Sequence, residues 1–383
     1  MPKTKRSLPA QPSRAPWVGF ARFALALLMP LSAWSQVTNA IPQAGVAPPL
    51  VDWRGANDAV AQFKRGHIDL LKWESANLPA PSPTPAMEPN LKLMAPADAV
   101  RQAWRVHREL TRTQGRIGAE ATQQVAEFRW DLVDPSLQRR VDDMDELLEV
   151  AADARRAWLN AVAARKVLRF REAALTSAEA GEELGRRMVS VGNWSPLQAT
   201  PFQLARTSAR MALQGSQLTS MKADGALLQL LRLSGADTRL GLPADLPELP
   251  TETLTRNTWQ QRLAAVQGYL PGMDAVRNRI ASETAFAVLQ TSHAMARASR
   301  GEVLQLRSFI TEETLLHYNG MLKSVWDLLG EVSNQASAEV DAIEAQRDFW
   351  LAETDLQWTL QGGAPTSFVS PGSGGATAAA PAH

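Results

Sequence analysis

Side chains suited to chemistry are few and scattered. The chain has five histidines in 383 residues, His67, His107, His293, His317 and His383. None stands at the His-x-x-x-His or His-Glu-x-x-His spacing that would place two imidazoles on one helical face, so no catalytic metal centre is expected. His67 and Asp69 lie two apart with Glu74 nearby, in a segment where a solvated loop and a transient metal contact are both open readings. Cysteine is absent, which removes disulfides, thiolate ligands, cysteine nucleophiles and an N-terminal lipid on cysteine. Gly115 and Gly118 lack the strand-turn-helix setting of a phosphate loop, and no Gly-x-Ser-x-Gly elbow occurs. No nucleophilic triad and no cofactor site can be nominated, so an enzyme is not expected. The acidic run Asp142-Asp143-Met144-Asp145-Glu146, beside Arg139 and Arg140, reads as a charged solvent face. Trp104, Trp130, Trp158 and Trp326 read as packing residues rather than a ligand box.

With little chemistry to place, the elements themselves carry the argument. Residues 1–35 have the pattern of a secretory signal: Lys3, Lys5, Arg6 and Arg14 precede the apolar stretch from Phe23 to Leu31, and Ala33-Trp34-Ser35 offers small residues for cleavage. As a membrane anchor this stretch is too short, and Arg22 and Pro30 interrupt it. Its removal takes away five positive charges, Arg22 included, and no acids, so a net charge of +1 becomes −4. A nucleic-acid role then loses its electrostatic basis.

Residues 36–90 are broken by proline and read as irregular, with a denser island from Asp52 to Glu74 and a stiff linker at Pro79-Ala80-Pro81-Ser82-Pro83-Thr84-Pro85. Residues 363–383 are rich in Gly, Ala, Pro and Ser and read as a disordered tail. The domain between, 91–362, is expected to be all-α with little or no β structure. Met144, Leu147, Ala151, Ala154, Trp158 and Ala161, then Leu168 and Leu175, recur at steps of three and four, interrupted at Arg165 and Glu172. Val325, Leu329, Val332, Ala336, Val340, Ile343 and Trp350 form a second such seam, and a plain amphipathic core helix gives the same spacing.

The run from about Arg140 to Val191 contains no proline and extends roughly 75 Å at 1.5 Å per residue, beyond ordinary globular helices. A return helix from Pro196 to Leu233 starts with proline in a tolerated first-turn position and stops before Gly235. Val191-Gly192-Asn193-Trp194-Ser195 joins the two as a helical hairpin. The design repeats with a helix from about Met273 to Tyr318, a turn at Asn319-Gly320-Met321-Leu322-Lys323-Ser324, and a return from Val325 to Leu360. Asn and Gly in both turns suit a left-handed backbone. Overlaying Ala157-Trp158 on Ala285-Phe286, and Gly192-Asn193-Trp194-Ser195 on Met321-Leu322-Lys323-Ser324, needs offsets of about 128 and 129, which predicts a duplication. Repeat one spans about 97–235 and repeat two about 251–362.

Those turns carry a resemblance. Gly192-Asn193-Trp194-Ser195-Pro196-Leu197 and Met321-Leu322-Lys323-Ser324-Val325-Trp326-Asp327-Leu328-Leu329 are similar to the turn Gly-Leu-x-Ser-x-Leu-Asp-Val-Leu that opens the returning helices of the TolC family of outer-membrane efflux proteins. Tyr318 to Leu322, with Ala345 to Gln357, resembles a metal-export-linked subgroup, and the likeness spans about Ala97 to Gly362. It implies two antiparallel helical hairpins forming part of an α-helical barrel, and an exported, outer-membrane-associated efflux component. It also implies a homotrimer, or a mixed trimer with a barrel-bearing relative, that docks with a periplasmic adaptor protein and through it with an inner-membrane pump. Gly192, Asn193, Ser195, Asn319, Gly320 and Ser324 would make the adaptor contact, although any helical corner needs small polar residues. Asp327 would fall at a tip constriction, where repeat one has Gln198.

The family inserts a β-hairpin between the two long helices of each repeat. A membrane-crossing strand needs about 9–11 residues of alternating polarity, and neither Phe128 to Ser136 nor Gly268 to Asp274 has room for two. Arg129, Asp131, Asp134 and Asp142 would also be costly facing lipid. The expectation is a chain that keeps the helical tunnel portion and lacks its own barrel. The alternative is a non-transport periplasmic scaffold, or a modulator of a full-length paralogue.

Overall fold

A computed structural model describes residues 90–134, 136–233, 239–363, 365 and 367–371. All of them fall within one compact unit, 86–383. The signal sequence, the island at Asp52 to Glu74, the histidines His67 and His383, and the proline linker lie outside the described residues.

The chain enters through a two-residue strand, β1 (Leu91–Lys92), then α1 (Pro96–Val106) and α2 (Thr111–Ala126), which kinks where Gly118 takes φ 84°. A 3-10 turn (Trp130–Leu132) and the short α3 (Leu137–Arg140) lead to α4 (Met144–Ser190), 47 residues and roughly 70 Å long. The helix α5 (Pro196–Leu230) returns alongside it, followed by β2 (Leu240–Gly241), which pairs in parallel with β1. Repeat two runs through α6 (Arg256–Gln267), α7 (Gly272–Ala298), a π-helical stretch (Ser299–Val303), α8 (Leu304–Asn319) and α9 (Val325–Thr359). Among the described residues the only strands are β1 and β2, so the all-α expectation holds.

The four long elements form one layer in the order α5, α4, α9, α7–α8. The hairpins meet through α4 and α9, while α5 and α7–α8 form the two edges. Because α5 and α9 are both 35 residues and start 129 positions apart, the duplication is exact over the returning helices. The π-helical stretch explains the other offset. An i→i+5 turn accommodates one extra residue in a continuous helix. Such an insertion between Phe286 and the second turn shifts the register from 128 to 129.

The core fills the half of the layer remote from the turns. Met144, Leu147, Ala151, Ala154, Trp158 and Ala161 are all buried, as their spacing predicts. Leu168 and Leu175 are only half-buried, and so are Val325, Leu329, Val332 and Ala336 of the second seam. The reason is that near the turns the layer is one helix thick, and among the described residues neither face has a second layer to cover it. Trp130, Trp158 and Phe349 are fully enclosed at the opposite end. Phe368, beyond the compositional boundary at Gly362, packs on the cluster around Trp259.

The connector between repeats is a strap laid across the layer. Arg165 of α4 donates to the Leu240 carbonyl, and Gln346 and Trp350 of α9 both donate to Pro247 O. Gln290, His293 and Arg297 of α7 bond to the carbonyls of Leu254, Pro250 and Thr251. Main-chain carbonyls that no secondary structure satisfies are thus taken up by side chains from three helices.

Candidate functional site: the paired turns and the open edges

The two turns match bond for bond. In turn one, Gly192 N–H donates to Val189 O at 3.0 Å, while Asn193 and Trp194 both donate to Met188 O at 3.0 and 3.2 Å. In turn two, Met321 donates to Tyr318 O at 3.0 Å, while Leu322 and Lys323 donate to His317 O at 2.8 and 3.3 Å. Each bond recurs at the 129-residue offset. The left-handed position is Gly192 (φ 79°) in the first turn and Met321 (φ 60°) in the second. This corrects the sequence expectation that Asn319 and Gly320 supply that conformation. Asn319 closes α8, and Gly320 sits past its end at φ −81°, so the strained position passes to a methionine that is 94% exposed.

Each returning helix opens with a reciprocal cap. Ser195 N–H donates to Gln198 Oε1 at 2.8 Å and Ser195 Oγ accepts from Gln198 N–H; Ser324 N–H donates to Asp327 Oδ2 at 2.9 Å and Ser324 Oγ accepts from Asp327 N–H. Such boxes satisfy two of the four orphan donors at a helix start. The side-chain and backbone hydrogen bonds from Ser324 hold the Asp327 carboxyl below its ordinary range. Asp327 and Gln198 therefore share a capping role that their difference in charge conceals.

Behind the turns, three rings join the hairpins. Trp194 and Trp326 stand 4.5 Å apart, Phe202 and Trp326 4.2 Å, and Trp194 and Phe202 5.7 Å, as ring centroids. Gly181 and Gly185 of α4 sit beneath: a Cβ at Gly181 would lie 3.4 Å from Leu329 Cδ1, and one at Gly185 3.7 Å from Phe202. Each aromatic pair contributes about 0.5–1.5 kcal/mol beyond its buried area. Sequence reading treated Trp326 as a packing residue and gave Trp194 and Phe202 no role.

At the opposite end, α4 and α9 are joined by charge. Arg155 pairs with Glu353 at 2.7 Å beneath the protein surface, its guanidinium 4.0 Å from the Phe128 ring centroid, and Arg156 pairs with Asp355 at 2.6 Å. Burial pushes the Asp355 carboxyl up despite Arg156, and burial likewise raises Asp341 and Glu344. Between α2 and α4, residues 127–134 and 136–143 include the 3-10 turn and α3, with ion pairs Arg140–Asp134 and Arg116–Asp142, both at 2.6 Å. Residues 268–271 form a short turn between α6 and α7.

The edges carry apolar residues that are exposed. On α5, Leu197, Leu204, Met211 and Leu218 are exposed and spaced by seven. On the other edge Met295, Val303, Leu306, Ile310 and Leu316 are exposed. Counted from Ser195, Leu204 and Met211 lie nine and sixteen residues from the turn; counted from Asn319, Ile310 and Val303 lie the same nine and sixteen residues away. Equal counts put them at about equal distances along their helices from the two turns. Sequence reading missed this stripe, because an exposed heptad has the same spacing as a buried one.

The remaining sequence candidates have ordinary surroundings. His107 bonds with Glu109 at 3.0 Å, and His293 with the Pro250 carbonyl at 2.9 Å. Asp142, Asp143, Asp145 and Glu146 are exposed around buried Met144. Among the described residues no three His, Asp or Glu side chains gather as a metal group, and no helix is long and apolar enough to cross a membrane.

No protein-family model and no curated protein sequence matches the chain. Solved structures do resemble it. A structure of CusC, described in terms of folding and transmembrane channel formation, is 12% identical with a TM-score of 0.44, over 70% of this chain and 91% of that one. The CmeC outer membrane channel of Campylobacter jejuni is 14% identical with a TM-score of 0.42, over 65% of this chain and 68% of its own. A membrane protein from Pseudomonas aeruginosa is 14% identical with a TM-score of 0.41, over 63% of this chain and 72% of its own. Likeness at these scores leaves the functional argument to the geometry of the chain itself, an open layer of two helical hairpins with matched turns at one end and matched apolar edges along both sides.

Proposed function

We propose that the chain is a TolC-like efflux component that supplies the helical tunnel segment of a tripartite export assembly and carries no membrane barrel of its own. The observation that supports this reading best is the pair of apolar edges matched in distance from the turns. A surface that fits a different surface on the next copy builds a ring when the rotation closes. The layer contributes four helices per copy, and three copies complete a ring of the kind the sequence resemblance implies. A homotrimer is favoured over a mixed ring, because a barrel-bearing relative in a mixed ring would keep unpaired strand edges, at several kcal/mol per group in lipid.

In this assembly the paired turns meet the adaptor protein through Gly192, Asn193, Ser195, Asn319, Gly320 and Ser324, and Asp327 lies near the tip constriction. The chain acts by shape rather than by catalysis, in the cell envelope on the periplasmic side of the outer membrane. The short segments at 127–143 and 268–271 also support a second reading, an accessory scaffold that moves no cargo.

Fractionation of the exported protein tests the first reading. Release from outer membranes by a salt and carbonate wash is expected, together with binding of a purified adaptor that is lost on Asn193→Trp substitution. Retention after the wash would mean a barrel forms, and release without adaptor binding would leave the scaffold.

A further inference from the structure

The tip half of the layer holds little buried apolar material. Past Ala164, the buried residues of α4 are Gly181 and Gly185, and α9 has none before Ala338. In this thin region Trp194, Phe202 and Trp326 are the one aromatic cluster among the described residues, and they belong to different hairpins: Trp194 to turn one, Phe202 to α5, Trp326 to the first turn of α9. No ion pair among the described residues joins the two turns to each other. Beside the rings lies a cavity of 450 Å³ between α4, α5 and α9, lined by Phe202, Trp326, Gly181, Ala178 and Ala209.

We propose that Trp194, Phe202 and Trp326 form a latch that fixes the two turns of a single chain to each other, and that release of Trp326 lets the hairpin ends move separately. Two tilted ring contacts, Trp194–Trp326 and Phe202–Trp326, close the latch at contact distance, with the glycines beneath allowing the rings to seat on α4. The adjoining cavity, walled mainly by Ala, Ser and Gly with Arg171 and Leu329 at its margin, offers the Trp326 ring a place to swing. A contact made of rings has no charge to screen, so the latch is insensitive to salt. Its consequence, a tip that opens only when the latch parts, rests on the tunnel reading; the latch itself does not.

The absence of cysteine allows spin labels to be placed cleanly. In Asn193→Cys/Leu322→Cys protein, diluted with unlabelled chain so that only distances within one chain are read, pulsed electron resonance should give one narrow distance distribution that high salt leaves unchanged. Trp326→Ala should broaden it or add a longer distance, Phe202→Leu should do the same with helicity retained, and Trp326→Phe should restore the narrow peak. An unchanged narrow peak in both Trp326→Ala and Phe202→Leu would overturn the latch. A broad distribution in the parent protein would do so too. Because the distance is internal to one chain, either result is independent of whether the chain forms a ring.

Discussion

The two ends of the helical layer solve the same problem with different materials. Remote from the turns, Trp158 of α4 and Ile343 of α9 share one buried cluster, and Arg155–Glu353 and Arg156–Asp355 join the two helices. Near the turns the same two helices meet across glycines and a half-exposed ring cluster. Stability therefore resides at the end with two layers of cover. The tip end keeps its apolar residues outside, on edges and turns, where they are useful only against another molecule. A monomer that exposes Leu197, 80% accessible, Met321 and the α5 stripe is an incomplete object in this sense.

The largest expected effect breaks the body end. Glu353→Ala leaves Arg155 buried without its partner and should lower unfolding free energy by about 3–5 kcal/mol in denaturant titration, whereas Trp326→Ala should leave the global midpoint much closer to that of the parent. Equal losses would erase the contrast. Next is Gly181→Leu, whose branches enter the space beside Leu329 and Phe202 and should unseat the rings, read as loss of amide protection around the turns with the body end unchanged. Ser324→Ala removes one cap and should cost about 1 kcal/mol, with exchange quickening in the first turn of α9 only. Met321→Gly should gain a fraction of the roughly 1–2 kcal/mol that a left-handed non-glycine residue costs, seen as slower exchange at Leu322 and Lys323.

Proton linkage sharpens the same contrast. Asp341, Glu344 and Asp355 are raised in the folded chain by burial, so the folded state binds their protons more tightly. Their contribution to stability is complete below the unfolded value and is lost as pH rises through the folded value. Asp327 is lowered, so its contribution is present above the ordinary 3.8 and is lost only as pH falls below it. Acidification toward the ordinary carboxylate range should therefore firm the body end while the caps hold until pH falls below 3.8, measured as protection by region; loosening of the body over that range would contradict the assignment.

Much of this was legible in the sequence for local reasons. A proline-free run followed by Ser195-Pro196, and Ser324 three residues before Asp327, mark helix ends by chemistry that needs no tertiary contact, and the observed boundaries fall close to those expected. Turn two shows the limit of such reasoning. Its left-handed residue is fixed by the bonding pattern shared with turn one, which outweighs the local preference for Gly320. The ring cluster was illegible because Trp194 and Trp326 are distant in sequence and only the pairing of hairpins brings them together. The buried pair Arg155–Glu353 was hidden for the same reason, and the edge stripe because spacing does not reveal which seam has a partner.

The most direct test is of the edges. In the naturally cysteine-free chain, Leu204→Cys and Ile310→Cys place one thiol on each edge at about the same distance from its turn. Mild oxidation should yield covalent species of two and three chains and no larger product, with each single substitution giving no ladder beyond a dimer. A chain that stays monomeric across concentrations, or a ladder that continues past three, would contradict the closed tunnel.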